Sequence, residues 1–262
     1  MILEDFHVHS SFSDGKNTPE EIALAAAERG LTRLGFSDHS YAPYDAACCM
    51  PEEKISEYLR RVAELKAAWR GKLEIYCGIE QDFYSPASTT DYDYVIGSVH
   101  YIRPDWPPVD DTPEKLAELV EEHFGGDVYA MTAAYFETVG NVYEQTRCDI
   151  IGHFDLVAKF NEKHPMFDTN DPRYIAAWRA AADKLLKTGG VKPFEINTGA
   201  ISRGWRGGPY PAPEILRYLS DRGAVFVLSS DSHSAETLCY AFPAQERAAA
   251  ALGLKLVRFG PG

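Results

Sequence analysis

Short apolar runs alternate with longer amphipathic stretches along nearly the whole chain. Residues 3–8, 33–37, 73–79, 94–99, 150–154, 194–198 and 225–229 each read as a buried strand, and 256–259 as an eighth. Between them the apolar period lengthens. Ile55, Leu59, Val62, Leu65 and Trp69 recur at spacings of three and four, which is one face of a helix. Thr18-Pro19-Glu20-Glu21 combines a capping threonine, a proline suited to the first helical position and a glutamate that closes a capping box, and Gly30 can end that helix. Thr112-Pro113-Glu114 marks another start, residues 172–188, 213–222 and 241–252 are helical by pattern, and 125–146 is weakly so.

Strand and helix alternating in this way imply a parallel sheet. Seven or eight such units in 262 residues is the size of a (β/α) barrel. The competing doubly wound sheet lacks its Gly-rich fingerprint here. No repeat, low-complexity block or Gly/Ser linker interrupts the pattern, so 1–262 reads as one α/β domain. The least regular stretches, 40–50, 84–92, 101–111 and 200–211, all follow expected strands, where a barrel carries its functional loops.

Composition narrows the partners. Hydrophobic residues are 45% and charged residues 25%, a globular balance. Lys and Arg total 26 against 39 Asp and Glu, a formal charge of −13, which argues against nucleic acid or an anionic membrane as partner. A small phosphorylated substrate stays open, because bound metal ions reverse the local sign. No run approaches a membrane span, and the acidic N-terminal segment lacks a signal-peptide core. The five cysteines, 48, 49, 77, 148 and 239, form no C-x-x-C pair and read as reduced thiols of a cytoplasmic protein.

The chemistry lies at the strand ends. His7 and His9 form an H-x-H after strand one, followed by Asp14; Asp38-His39 ends strand two, Glu80 strand three, His100 strand four and His153 strand five, and Asp231-Ser232-His233 follows strand seven. In a parallel barrel these ends converge on one face. A lone histidine there says little. His7, His9, Asp14, His39, Glu80, His100, His153, Asp231 and His233 together are nine candidate ligands, and at ~3 protein ligands per catalytic ion they suffice for ~3 ions. Imidazole and carboxylate without thiolate suit zinc, manganese or iron. His123 and His164 lie outside the pattern and read as surface residues. The motifs of a serine nucleophile, a nucleotide-phosphate loop and a zincin are missing.

These motifs resemble the PHP superfamily, named for polymerase-associated and histidinol phosphatase members: Asp5-Phe6-His7-Val8-His9, Ser13-Asp14-Gly15, Phe36-Ser37-Asp38-His39, Gly78-Ile79-Glu80, Gly97-Ser98-Val99-His100, Gly152-His153 and Ser230-Asp231-Ser232-His233. Within it, Tyr94–Tyr101, Gly152–Leu156 and Glu195–Gly199 are similar to histidinol-phosphate phosphatases; Asp14 is a departure, standing where several of them carry histidine. The resemblance implies a distorted (β/α)7 barrel and a site for three divalent transition-metal ions. His7, His9, Glu80 and Asp231 would hold one, Glu80, His100 and His153 a second, and Asp14, His39 and His233 the third. The implied activity is hydrolysis of L-histidinol phosphate, a step of histidine biosynthesis, by a metal-bridging hydroxide. Asp231 or His233 would supply the leaving-group proton, and Lys159 and Arg203 would contact phosphate. Tyr101, Trp106 and Trp205 are candidates to pack on an imidazole. The alternatives are a nuclease or nucleic-acid phosphoesterase of the same superfamily, disfavoured by the charge, and a non-catalytic metal-binding module, disfavoured by the complete ligand set.

Overall fold

In the computed structural model, which describes residues 3–190 and 192–260, strands β1 (Glu4–Asp5), β2 (Arg33–Phe36), β3 (Glu74–Asp82), β4 (Tyr94–Ser98), β5 (Ile150–Ile151), β6 (Phe194–Asn197) and β7 (Phe226–Ser229) stand side by side in chain order. Each pairs in parallel with the next. Parallel neighbours require crossover connections. These contain helices α1 (Pro19–Glu28), α2 (Ile55–Ala68), α3 (Pro113–Phe124), α4 (Val128–Gly140), α5 (Val142–Thr146), α6 (Pro172–Thr188), α7 (Gly199–Ser202) and α8 (Pro213–Ser220), with α9 (Phe242–Ala251) after β7. The sheet closes on itself. Val8 bridges Ser232, with the His9 N–H 2.8 Å from the Ser232 carbonyl and the Ser232 N–H 3.1 Å from that of His7. The result is a nearly closed seven-stranded barrel, as the sequence implied.

Local signals explain most boundaries. Thr18 and Glu21 form the expected capping box, and Gly30 follows α1 with φ +76. The weak pattern over 125–146 resolves into α4 and α5. Helix α4 buries Met131, Thr132, Tyr135, Phe136 and Val139, leaving little polar contrast for a periodicity to register.

Residues alternate across each strand. Phe194 and Ile196 face the helices, as do Leu34, Phe36, Ile75 and Ile79, while Glu195 and Asn197 lie on the opposite face of β6. A smaller apolar cluster of Phe6, Tyr94, Ile96, Ile150 and Val227 fills the barrel below the polar strand tips. Tyr94 is its centrepiece. A Cβ on Gly35 or Gly78 would overlap its ring, and its hydroxyl lies 2.7 and 2.9 Å from the carbonyls of Phe6 and Phe36.

The expected eighth strand does not form. Leu256 makes only an isolated parallel bridge to Phe226, and Phe259 packs edge-on against Phe6 and Tyr94, with ring centroids 5.1 and 5.5 Å apart. The tail touches the edge of β7 only at Phe226, with the Phe226 N–H on the Lys255 carbonyl and the Val257 N–H on that of Phe226, and then crosses beneath the barrel instead of running along it.

Candidate metal centre

Beyond Asp5 the first strand leaves the ladder, and His7 and His9 turn their rings toward Glu80 at the far end of β3. Glu80 is the hub. Its Oε2 lies 3.2 Å from His7 Nε2, 3.5 Å from His9 Nε2 and 2.9 Å from His39 Nδ1. Its Oε1 lies 2.9 Å from His153 Nε2 and 3.6 Å from His100 Nε2. Asp231, at the end of β7, brings Oδ1 within 3.8 Å of His7 Nε2 and 3.5 Å of His9 Nε2. Asp14 sits 3.7 Å from both His9 and His39 and 3.1 Å from His233 Nε2. All nine candidate ligands therefore meet at one end of the barrel.

The donor set fits metal ions. Three groups have ligand atoms within 4.8 Å of one another: His9, Asp14, His39 and His233; His7, His9 and Glu80; and His39, Glu80 and His100. His7 Nε2, both ring nitrogens of His9, His153 Nδ1, Asp14 Oδ1 and Glu80 Oε2 are buried with no hydrogen-bond partner. Buried polar atoms are nearly always paired. Six orphans in one cluster call for a cation.

Electrostatics carry the same message. Burial would raise the Glu80 carboxyl, yet His7, His39 and His100 hold it well below the usual range. Burial would lower His39 and His100, but Glu80 overrides it, with Asp14 adding to His39, and pushes them up to about 10 and about 9. His9, by contrast, falls to about 3 through burial and the repulsion of His233 and His39. Without metal, protons on the surrounding imidazoles balance the buried carboxylates.

Two carboxylates outside the expected ligand set support these rings. Glu195 accepts the Nδ1–H of His7 at 2.7 Å and the backbone N–H of His153 at 3.0 Å. Asp82 lies 3.3 Å from His100 Nδ1 and accepts its backbone N–H at 3.1 Å. Glu195 was legible as a charged residue inside the apolar run 194–196, and Asp82 as the next inward position after Glu80.

Above the cluster opens a cavity of about 690 Å³. Lys159 and Arg203 both line it, but each is also tied to an acid. Lys159 donates to the carbonyl and carboxylate of Asp110 at 2.6 and 3.2 Å. Arg203 pairs with Asp231 Oδ2 at 2.9 Å and donates to the Asp231 carbonyl at 3.0 Å. Tyr101 and Trp106 also line the cavity. Trp205 does not: its ring packs against Phe160, 4.9 Å between centroids. His164 and His123 are both exposed as expected, and His123 also stacks on Trp106 at 4.2 Å and 13°, anchoring the loop 101–111 to α3.

The model of the PHP domain matches residues 5–199. The chain belongs to the PHP family. This PHP chain is 34% identical to a protein of Deinococcus radiodurans named probable histidinol-phosphatase, over 88% of this chain and 86% of the relative. It is 24% identical to a histidinol-phosphatase of Bacillus subtilis, over 93% and 98% of the two chains. Its fold matches the crystal structure of a histidinol phosphate phosphatase from Lactococcus lactis, solved with zinc, L-histidinol and phosphate. The TM-score is 0.71 at 20% identity, covering 98% of this chain and 95% of the other. Among the described residues, no helix is long and apolar enough to cross a membrane.

Proposed function

We propose that this PHP chain, a single domain over 1–262, is a metal-dependent phosphomonoester hydrolase that converts L-histidinol phosphate to L-histidinol and phosphate. The observation that carries the reading is one cavity with three kinds of wall: a floor of orphaned imidazole and carboxylate atoms, the cations Lys159 and Arg203 beside it, and an acidic aromatic patch. Near-full-length relatives carrying the histidinol-phosphatase name support it.

His7, His9, Glu80 and Asp231 would hold one ion, Glu80, His100 and His153 a second, and Asp14, His39 and His233 a third, with zinc, manganese or iron suited to the donors. Ions so held supply Lewis acidity toward the phosphoryl oxygens and an activated water near neutral pH. The side chains do the rest. Arg203 presents a planar fork suited to two phosphoryl oxygens, and Lys159 a point charge. Asp231 and His233 line the cavity and are the candidates to pass a proton to the leaving alkoxide, His233 through Nε2 only while that nitrogen holds no ion, since its Nδ1 lies on the Asp231 carbonyl at 3.0 Å. Asp45, whose carboxylate accepts from Tyr101 at 2.7 Å, lies with Tyr44 and Trp106 on the same cavity and offers an anionic, aromatic seat for the ammonium and imidazole of histidinol.

Phosphate release from L-histidinol phosphate is expected to exceed nucleotide release from single-stranded DNA by orders of magnitude in kcat/KM. Comparable values would place the chain with the nucleases of its family.

A further inference from the structure

Glu195 lies outside the ligand set, yet it is as buried as the ligands. Its side chain and that of His7 are both fully shielded from solvent. Three donors converge on it: His7 Nδ1 at 2.7 Å on Oε1, the His153 backbone N–H at 3.0 Å on Oε2, and Asn197 Nδ2 at 3.1 Å on Oε2. A carboxylate only accepts, so the contact with Glu195 keeps a proton on Nδ1, and Nε2 is the nitrogen through which His7 would bind an ion. That nitrogen is the one 3.2 Å from Glu80.

The two glutamates clasp the same pair of residues. Glu80 meets the Nε2 atoms of His7 and His153 with different oxygens, 3.2 and 2.9 Å away. Glu195 uses its two oxygens on the far side of the His7 ring and on the His153 backbone. It thereby ties the tip of β6 to residues that follow β1 and β5. In the ligand assignment above, His7 and His153 serve different ions, both shared by Glu80. Asp14, His39 and His233 stand on other segments.

We propose that Glu195 is a positioning residue for the Glu80-bridged pair of metal sites: it selects the His7 tautomer that leaves Nε2 for an ion and fixes the distance between one ligand of each ion, while its own hydrogen bonds go to His7, His153 and Asn197 and to no ligand of the third site. The inference rests on the ligand assignment, not on the identity of the substrate. Carboxylates behind metal-bound histidines typically govern affinity by ~10–100-fold.

Glu195→Gln tests it at nearly constant size. An amide has one accepting oxygen and one NH2, so His7 Nδ1–H and His153 N–H cannot both be satisfied. Where the NH2 faces His7, the ring proton is driven to Nε2, the atom a metal needs. Wild type, Glu195→Gln and Glu195→Asp would be stripped with chelator and titrated with zinc against a chromophoric competitor. The expected result for Glu195→Gln is a ~10–100-fold weakening of two equivalents with the third at wild-type affinity. Zinc-loaded wild type labelled with ¹⁵N-histidine should show a low-field Nδ1–H resonance that the variant lacks. Wild-type affinity at every equivalent would overturn the proposal, and so would equal weakening of all three, which is the mark of a general packing defect. If Glu195→Gln does not fold, Glu195→Asp decides: its carboxylate is withdrawn by one methylene, and the same selective loss supports the proposal while unchanged affinity overturns it. Wild-type protein that binds no zinc would instead overturn the ligand assignment itself. An inactive but zinc-binding wild type would bear only on the substrate.

Discussion

A buried carboxylate among imidazoles can be read as a charge balance. Glu80 touches five histidines with two oxygens, and no other ligand reaches as many. Glu80→Gln keeps the shape but offers one neutral acceptor, so at least one ion should be lost and kcat should fall by ~10³-fold. Elemental analysis beside steady-state kinetics checks this; full metal content with near-normal kcat would remove Glu80 from the bridge. Asp45 lines the cavity above the candidate ligands. Asp45→Asn should raise KM for L-histidinol phosphate by ~10-fold, the cost of losing one charged contact of about 1.5 kcal/mol, while a phosphomonoester without an amine is unaffected. A parallel loss on both substrates would assign Asp45 to loop structure. The nine candidate ligands were legible as a cluster because histidines are scarce and recur at strand ends. Asp45 was not, since an acid in an irregular loop resembles any solvated charge until its cavity is seen.

Elements divide the labour between closing the barrel and aiming side chains. The apolar runs at 3–8 and 150–154 are longer than the ladders they form, Glu4–Asp5 and Ile150–Ile151. The surplus residues are those that leave regular pairing to present His7, His9 and His153. Hydrophobic pattern reports burial, not hydrogen bonding, so it marks the run and misses where pairing stops. Helix ends were clearer, because caps are local chemistry: Thr112, Asp127 and Asp171 each accept a first-turn N–H. The failed eighth strand has the opposite cause, since nothing in 256–259 says whether a sheet edge remains to receive it. Gly35 and Gly78 exist for Tyr94, one element making room for another. Gly78→Ala should lower the unfolding free energy by ~1–3 kcal/mol through overpacking, and Tm by about 2–4 °C for each kcal/mol. A thermal scan matching wild type would show that the ring can yield.

For the whole molecule the metal centre and the fold are separable but coupled. The apolar cluster around Tyr94 lies below the ligands, so the barrel is expected to remain folded without metal. Its stability should then follow the trapped protons. His39 is held up to about 10 and His100 up to about 9, against burial, chiefly by Glu80. The unfolded chain releases such protons near ~6.5. A raised imidazole pKa stabilises fully below that value and ceases to do so as pH rises through the folded one. Metal-free protein should therefore lose Tm between pH 7 and about 10, whereas zinc-loaded protein, whose imidazoles carry metal in place of protons, should not show this slope. Equal pH profiles for the two forms would refute the charge balance. The seam between Val8 and Ser232 has a further consequence, one of time. The first two ligands, His7 and His9, leave the ribosome more than two hundred residues before Asp231 and His233. At ~5–20 residues per second, a nascent chain spends about ten to fifty seconds with His7 and His9 made and the strand that carries Asp231 and His233 still to come. The two sets expected to draw on both ends of the chain, His7 and His9 with Asp231, and Asp14 and His39 with His233, come together only when the last strand has found the first.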